Sequence, residues 1–124
     1  MAALVTFIIP TINRPTLQRS VESLLAQTNP DWEAIIVYDG IPVVNNFNDP
    51  RIKCISIPKS GELVGAHGAA GRVRNAGIKL ATTAYIGLLD DDDTLGNDYV
   101  NQINPIFDIN IFRMLGDDGI IPRL

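Results

Sequence analysis

Four consecutive aspartates, Asp90-Asp91-Asp92-Asp93, follow directly on the apolar run Tyr85-Ile86-Gly87-Leu88-Leu89. Carboxylates crowded at adjacent positions repel one another unless a cation or solvent offsets their charge. Hard divalent ions prefer carboxylate oxygen, and magnesium in particular is held by one or two carboxylates together with substrate phosphates. A divalent cation bridging this run to a ligand diphosphate is therefore one reading. A solvated acidic loop that caps the segment 94–99 is the other. Adjacent residues leaving a strand point in different directions, so only some of the four can share one ion. A calcium loop of the EF-hand type fits worse, because Leu95 falls where an oxygen ligand belongs and Gln102 takes the twelfth position.

Two more polar clusters end apolar runs. Val5 to Ile9 leads into Pro10-Thr11-Ile12-Asn13-Arg14, and Ala34 to Tyr38 leads into Asp39-Gly40. In open α/β sheets ligands bind outside the carboxyl ends of the strands, and right-handed crossovers bring those ends to one edge. The three clusters are expected to converge there. Asp39 taken alone also reads as a turn residue ahead of Gly40.

The elements that would carry these clusters follow from periodicity. A first strand buried on both faces ends at Pro10, and Leu17, Val21, Leu24, Leu25 and Thr28 predict a helix over about 15–28. A second strand covers 34–38 and a shorter one 52–57, stopped by Pro58. A glycine-rich loop is expected over 59–71, then a helix over 71–81 with Val73, Ala76, Gly77 and Leu80 on one face. The strand 85–89 runs into the aspartates. A short helix within 98–106, a strand at 109–115 and a hairpin turn at Asp118-Gly119 complete the chain. This order predicts an α/β sandwich whose first half is largely parallel. The second arm of that hairpin has few residues before Leu124, so a larger domain is expected, of which this is a part.

With 124 residues, one domain is expected. A formal net charge of −4 supplies no general attraction for nucleic acid, so any phosphate must be held locally. No apolar run approaches the ~18–20 residues of a transmembrane segment, and Met1-Ala2-Ala3-Leu4 lacks the basic start of a signal peptide. Together with one unpaired Cys54, these features lead us to expect a cytoplasmic protein. Cys54 reads as structural, and Trp32 as packing the first helix against the sheet.

Five segments in order, 7–15, 23–28, 36–40, 74–78 and 85–93, resemble the signature of family 2 glycosyltransferases of the GT-A fold. The resemblance implies a nucleotide-diphosphate-sugar donor, a divalent Mn2+ or Mg2+, and transfer to the hydroxyl of a carbohydrate or other acceptor with inversion. By it Pro10, Thr11 and Ile12, with Asn13 beside them, lie beneath the nucleoside, although the family often carries an aromatic where Ile12 stands. Asp39 matches the carboxylate that accepts from the base, with Tyr38 in place of the usual preceding acid. Asp90-Asp91-Asp92 matches the DXD-type motif: Asp92 is the first candidate metal ligand, and Asp90 or Asp91 faces the ribose or supports the metal shell. Arg74, of the matching Arg74-Asn75, offsets diphosphate charge or pairs with the aspartates; packing within the fold is its other reading. The segment 65–71 resembles a phosphate-cradling loop, which brings His67 toward the diphosphate, or leaves it an ordinary surface histidine. The family's general base lies far downstream of its acidic motif, and none is assigned here; it is expected beyond Leu124. The alternatives are a nucleotidyltransferase and a nucleotide-binding module without transferase activity. The first would place a glycine-rich basic loop straight after the first strand, where Pro10-Thr11-Ile12-Asn13 stands.

Overall fold

Three of the apolar runs become adjacent strands at the centre of one sheet. In the computed structural model, which describes residues 3–59, 66–103 and 120–122, β1 spans Val5–Thr11, β2 Trp32–Asp39, β3 Ile52–Ile57 and β4 Tyr85–Leu88. Helix α1 is Leu17–Leu25, α2 Ala66–Ile78 and α3 Tyr99–Gln102, and β5 is Ile120–Pro122. The sheet order is β3-β2-β1-β4-β5, with the first four strands parallel and β5 antiparallel to β4. Alternation along β1 sends Val5, Phe7 and Ile9 to the α1 side, where Leu17, Val21 and Leu24 meet them. Ile8 faces the other side, with Val37, Ile86 and Val73 of α2. Helices on both faces give the expected three-layer α/β sandwich.

Three element boundaries depart from expectation for physical reasons. Pro10 does not end β1, which continues to Thr11 in register with Tyr38. The carbonyls of Leu4 and Ile8 accept from β4's side, at Tyr85 and Leu89, so even-numbered β1 residues face β4. By residue 10 that neighbour has ended, and the missing N–H of proline costs no ladder bond. Helix α1 stops at Leu25, not 28, because Thr28 N–H donates to the carbonyl of Asn97 at 2.7 Å and draws the chain away. Leu25, the last residue of the helix, is exposed. Helix α2 begins at Ala66, so residues 66–71, expected as a loop, are helical and His67 lies in the first turn. It ends at Ile78, which leaves Leu80 exposed instead of on the buried face. The 109–115 strand and the Asp118-Gly119 turn lie outside the described residues.

Gly77 sets how closely α2 approaches the sheet. A Cβ there would come within 2.7 Å of Ile8 Cγ2 and 3.2 Å of Val37 Cγ2, and both neighbours are buried β-branched side chains with little room to move. Gly77→Ala is therefore expected to cost about 1–3 kcal/mol despite the better helix propensity of alanine. Urea unfolding would check this, and an unchanged or raised midpoint would show that the layers can separate freely.

Trp32 opens β2 and is fully buried in the α1-side core. Its indole is covered by Arg51, whose Cζ lies 3.9 Å from the ring centroid. Arg51 is itself held by Asp49, with Nε and Nη2 donating to the two carboxylate oxygens at 3.0 and 2.9 Å.

Candidate functional site

Parallel pairing fixes where the polar clusters meet. Thr11 is level with Tyr38, Ile8 with Leu88, and Asp39 with Ile57, so the carboxyl ends of β1, β2, β3 and β4 share one edge. A cleft of about 250 Å³ opens there, lined by Pro10, Thr11, Ile12, Arg14, Asp39, Val73 and Asp91. The first and second clusters and the acidic run thus converge as expected. Ile12 stands 61% exposed, so its side chain is available to a ligand and not to the core. Past Asp39 the chain turns at Gly40, whose φ of +78° and 2.7 Å approach to Lys59 Cβ exclude a side chain.

Asp91 is the inward-facing acid of the four, only 4% exposed. Thr11 Oγ1 donates to its Oδ2 at 2.8 Å, and Arg14 Nε donates to its Oδ1 at 3.0 Å, joined by Arg14 Nη2. The loop is bent to make this possible. Asn13 adopts φ of +67°, and its N–H donates to Thr11 Oγ1 at 2.9 Å. That turn brings Arg14 back over the acidic run, where Nη2 also lies 3.4 Å from Asp92 Oδ2. The hydrogen bond and charge of Asp91 push the Arg14 guanidinium pKa up, so it is permanently cationic.

Asp90, Asp92 and Asp93 are exposed, and one oxygen from each can lie within 4.8 Å of the others. Asp90 Oδ1 accepts from Arg74 Nη2 at 3.1 Å, so the arginine expected to offset charge does pair with the acidic run. Three exposed carboxylates at this spacing offer the hard oxygen donors a divalent cation takes. Asn13 faces a neighbouring recess with Arg14 and Phe47. Cys54 is half-buried and its thiol donates to the carbonyl of Asn45 at 3.4 Å, while burial pushes its pKa up. It is therefore a poor nucleophile.

Helix α1 dictates the path of the acidic turn through backbone bonds. Ser20 Oγ donates to the carbonyl of Asp93 at 2.5 Å, and Leu95 N–H donates to Ser23 Oγ at 3.1 Å. Gln27 Nε2 donates to the carbonyl of Gly96 at 2.6 Å, while its Oε1 accepts from Val100 N–H at 3.0 Å. Gln27→Ala would take the partner from the Val100 N–H and leave the Gly96 carbonyl with the Tyr99 N–H alone, and is expected to cost about 1–2 kcal/mol. Faster hydrogen exchange at the Val100 amide would report it, and unchanged exchange would dissociate Gln27 from the turn.

Residues 6–108 match the family described as Glycosyl transferase family 2. The chain belongs to glycosyltransferase family 2. Among family members, the uncharacterized glycosyltransferase EpsJ of Bacillus subtilis (strain 168) is 32% identical, over 94% of this chain and 34% of its own length. The Escherichia coli UDP-Glc:alpha-D-GlcNAc-diphosphoundecaprenol beta-1,3-glucosyltransferase WfgD is 34% identical, over 95% of this chain and 47% of its own. The chain thus spans less than half the length of these relatives. S. aureus TarS 1–349 in complex with UDP aligns with a TM-score of 0.62 at 20% identity, over 79% of this chain and 30% of that one. That likeness establishes a shared GT-A fold.

In this family 2 chain, sequence reasoning placed Arg14 and Asp93 in the polar clusters without giving either a role, and it missed Ser20 and Ser23 of α1 and Gln27 just past its end. That row was legible in part, since Ser20, Ser23 and Gln27 share one helical side (i, i+3, i+7). Nothing in the sequence said that this side faces the acidic turn. No helix among the described residues is long and apolar enough to cross a membrane.

Proposed function

We propose that this chain is the donor-binding part of a metal-dependent, inverting glycosyltransferase that moves a sugar from a nucleotide-diphosphate-sugar to an acceptor hydroxyl. The meeting of Asp39, Thr11 and the acidic turn in one cleft carries this reading. Asp39 accepts a hydrogen bond from the base, while Pro10, Thr11, Ile12 and Asn13 form the surface under the nucleoside. Asp92 and Asp90, with Asp93 beside them, hold the cation, Mn2+ or Mg2+. Bound there, a cation stabilises the charge that develops on the departing diphosphate. Arg74, next to Asp90, adds a second positive charge at that point, and His67 in the first turn of α2 approaches the diphosphate. Asp91 supports the metal shell from behind, anchored by Thr11 and Arg14.

The acceptor is a carbohydrate or another hydroxyl compound. Its proton goes to a general base that we place outside these 124 residues, consistent with the relatives' greater length. The unpaired Cys54 supports a cytoplasmic setting. Uridine diphosphate is the first probe, because WfgD is named for a UDP-Glc donor and the TarS structure holds UDP. Calorimetric titration with uridine, guanosine and thymidine diphosphates is expected to show binding that depends on Mn2+. Equal binding with and without metal for every nucleotide would sink the metal-dependent part, and no binding at all would sink the donor site.

A further inference from the structure

We infer that Arg14 is the internal counter-ion of the cation site: with no metal bound, its guanidinium is shared between the anchor Asp91 and the ligand Asp92, and it holds metal affinity down. The inference rests on the metal reading above and deepens it.

The geometry is asymmetric in a way that ion pairing within the fold does not require. Asp91 alone would pair the guanidinium charge, since Nε and Nη2 both reach its Oδ1. Yet Nη2 also stands 3.4 Å from Oδ2 of Asp92, one of the three carboxylates that would hold the cation. Asp91 is buried and fixed from its other oxygen by Thr11, whereas Asp92 is 49% exposed and held less firmly. A guanidinium so placed offsets the charge of Asp91 and Asp92, as Arg74 does that of Asp90. Once a dication arrives at Asp92, two positive charges compete for one carboxylate. Arg14 then gives up Asp92 and keeps Asp91, its charge still close enough to weaken the hold on the metal.

The sign of one measurement decides this. Mn2+ affinity of the full chain can be followed by the electron paramagnetic resonance signal of free aqueous Mn2+, with no nucleotide present. Arg14→Met is expected to tighten Mn2+ binding about five- to tenfold at low salt, and the gap should narrow as ionic strength rises. If Arg14→Met loses its near-ultraviolet circular dichroism, Arg14→Gln keeps an N–H donor for Asp91 while removing the charge, and is expected to shift affinity the same way. Neutralising a remote exposed cation, Lys53→Met on β3, should leave affinity unchanged. A purely structural Arg14 would weaken Mn2+ binding when removed, because the acidic turn would lose its anchor, and weaker or unchanged binding in a folded variant overturns the inference. Wild-type chain that binds no Mn2+ would overturn the metal reading itself, and the inference with it, a result distinguishable from failure at Arg14 alone.

Discussion

Asp92→Ala is expected to abolish the cation dependence of nucleoside diphosphate binding, with Mn2+ affinity falling by about 100-fold or more. Loss of groups that merely orient metal ligands costs about 10–100-fold, and on the proposed reading Asp92 would offer its oxygen directly, from a side chain that is half exposed. The fold should hardly notice. Asp92 contributes no side-chain contact to either core cluster, and the turn around it is fixed by Ser20 of α1 and by Gln27 just past the helix, through the carbonyls of Asp93 and Gly96. An unchanged melting temperature with lost Mn2+ binding would therefore separate ligation from folding. Asp31→Ala, which removes the same charge ahead of β2 at the opposite edge of the sheet, is the control and should bind Mn2+ normally. Retained metal dependence in Asp92→Ala would move the ligand set to Asp90 and Asp93.

Trp32→Ala is expected to be the most damaging single truncation of the fold, at about 3–5 kcal/mol. For a chain of this size that corresponds to a melting temperature lower by about 10–20 °C. The indole is fully buried among Val5, Ala34 and Leu24 and carries Arg51 on its face. Its loss opens a cavity and leaves the guanidinium without its platform. Trp32→Phe separates these effects. It keeps a ring beneath Arg51 and removes an indole N–H that has no hydrogen-bond partner among the described residues, so it should cost far less. Similar costs for both variants, measured by thermal unfolding, would show that the indole N–H matters and is satisfied in solution.

The strands were legible because central parallel strands are apolar on both faces, and nothing else in a short chain looks like Phe7-Ile8-Ile9 or Ile35-Ile36-Val37. Their order told where the polar clusters would meet, so Asp39 and the aspartates could be placed on one edge before any coordinates. Helix limits were less legible, since tertiary bonds set them: Thr28 leaves α1 for Asn97, and α2 extends through glycines that local propensity assigns to a loop. The division of labour within the acidic run was hidden for a related reason. Asp91 turns inward because Thr11 and Arg14 wait there, 80 and 77 residues earlier in the chain. No local pattern distinguishes it from Asp90 or Asp92.

The grip of α1 on main-chain groups has a consequence for how the protein meets its ions. Because the serine and glutamine side chains hold peptide oxygens and amides, not carboxylates, the bonds that shape the acidic loop use none of the groups a cation would take. Chelator-stripped protein should keep its far- and near-ultraviolet circular dichroism, melt lower only by what mass action of the bound ion supplies, and regain manganese at once on dialysis, behaving as an open receptor that cations enter and leave without refolding.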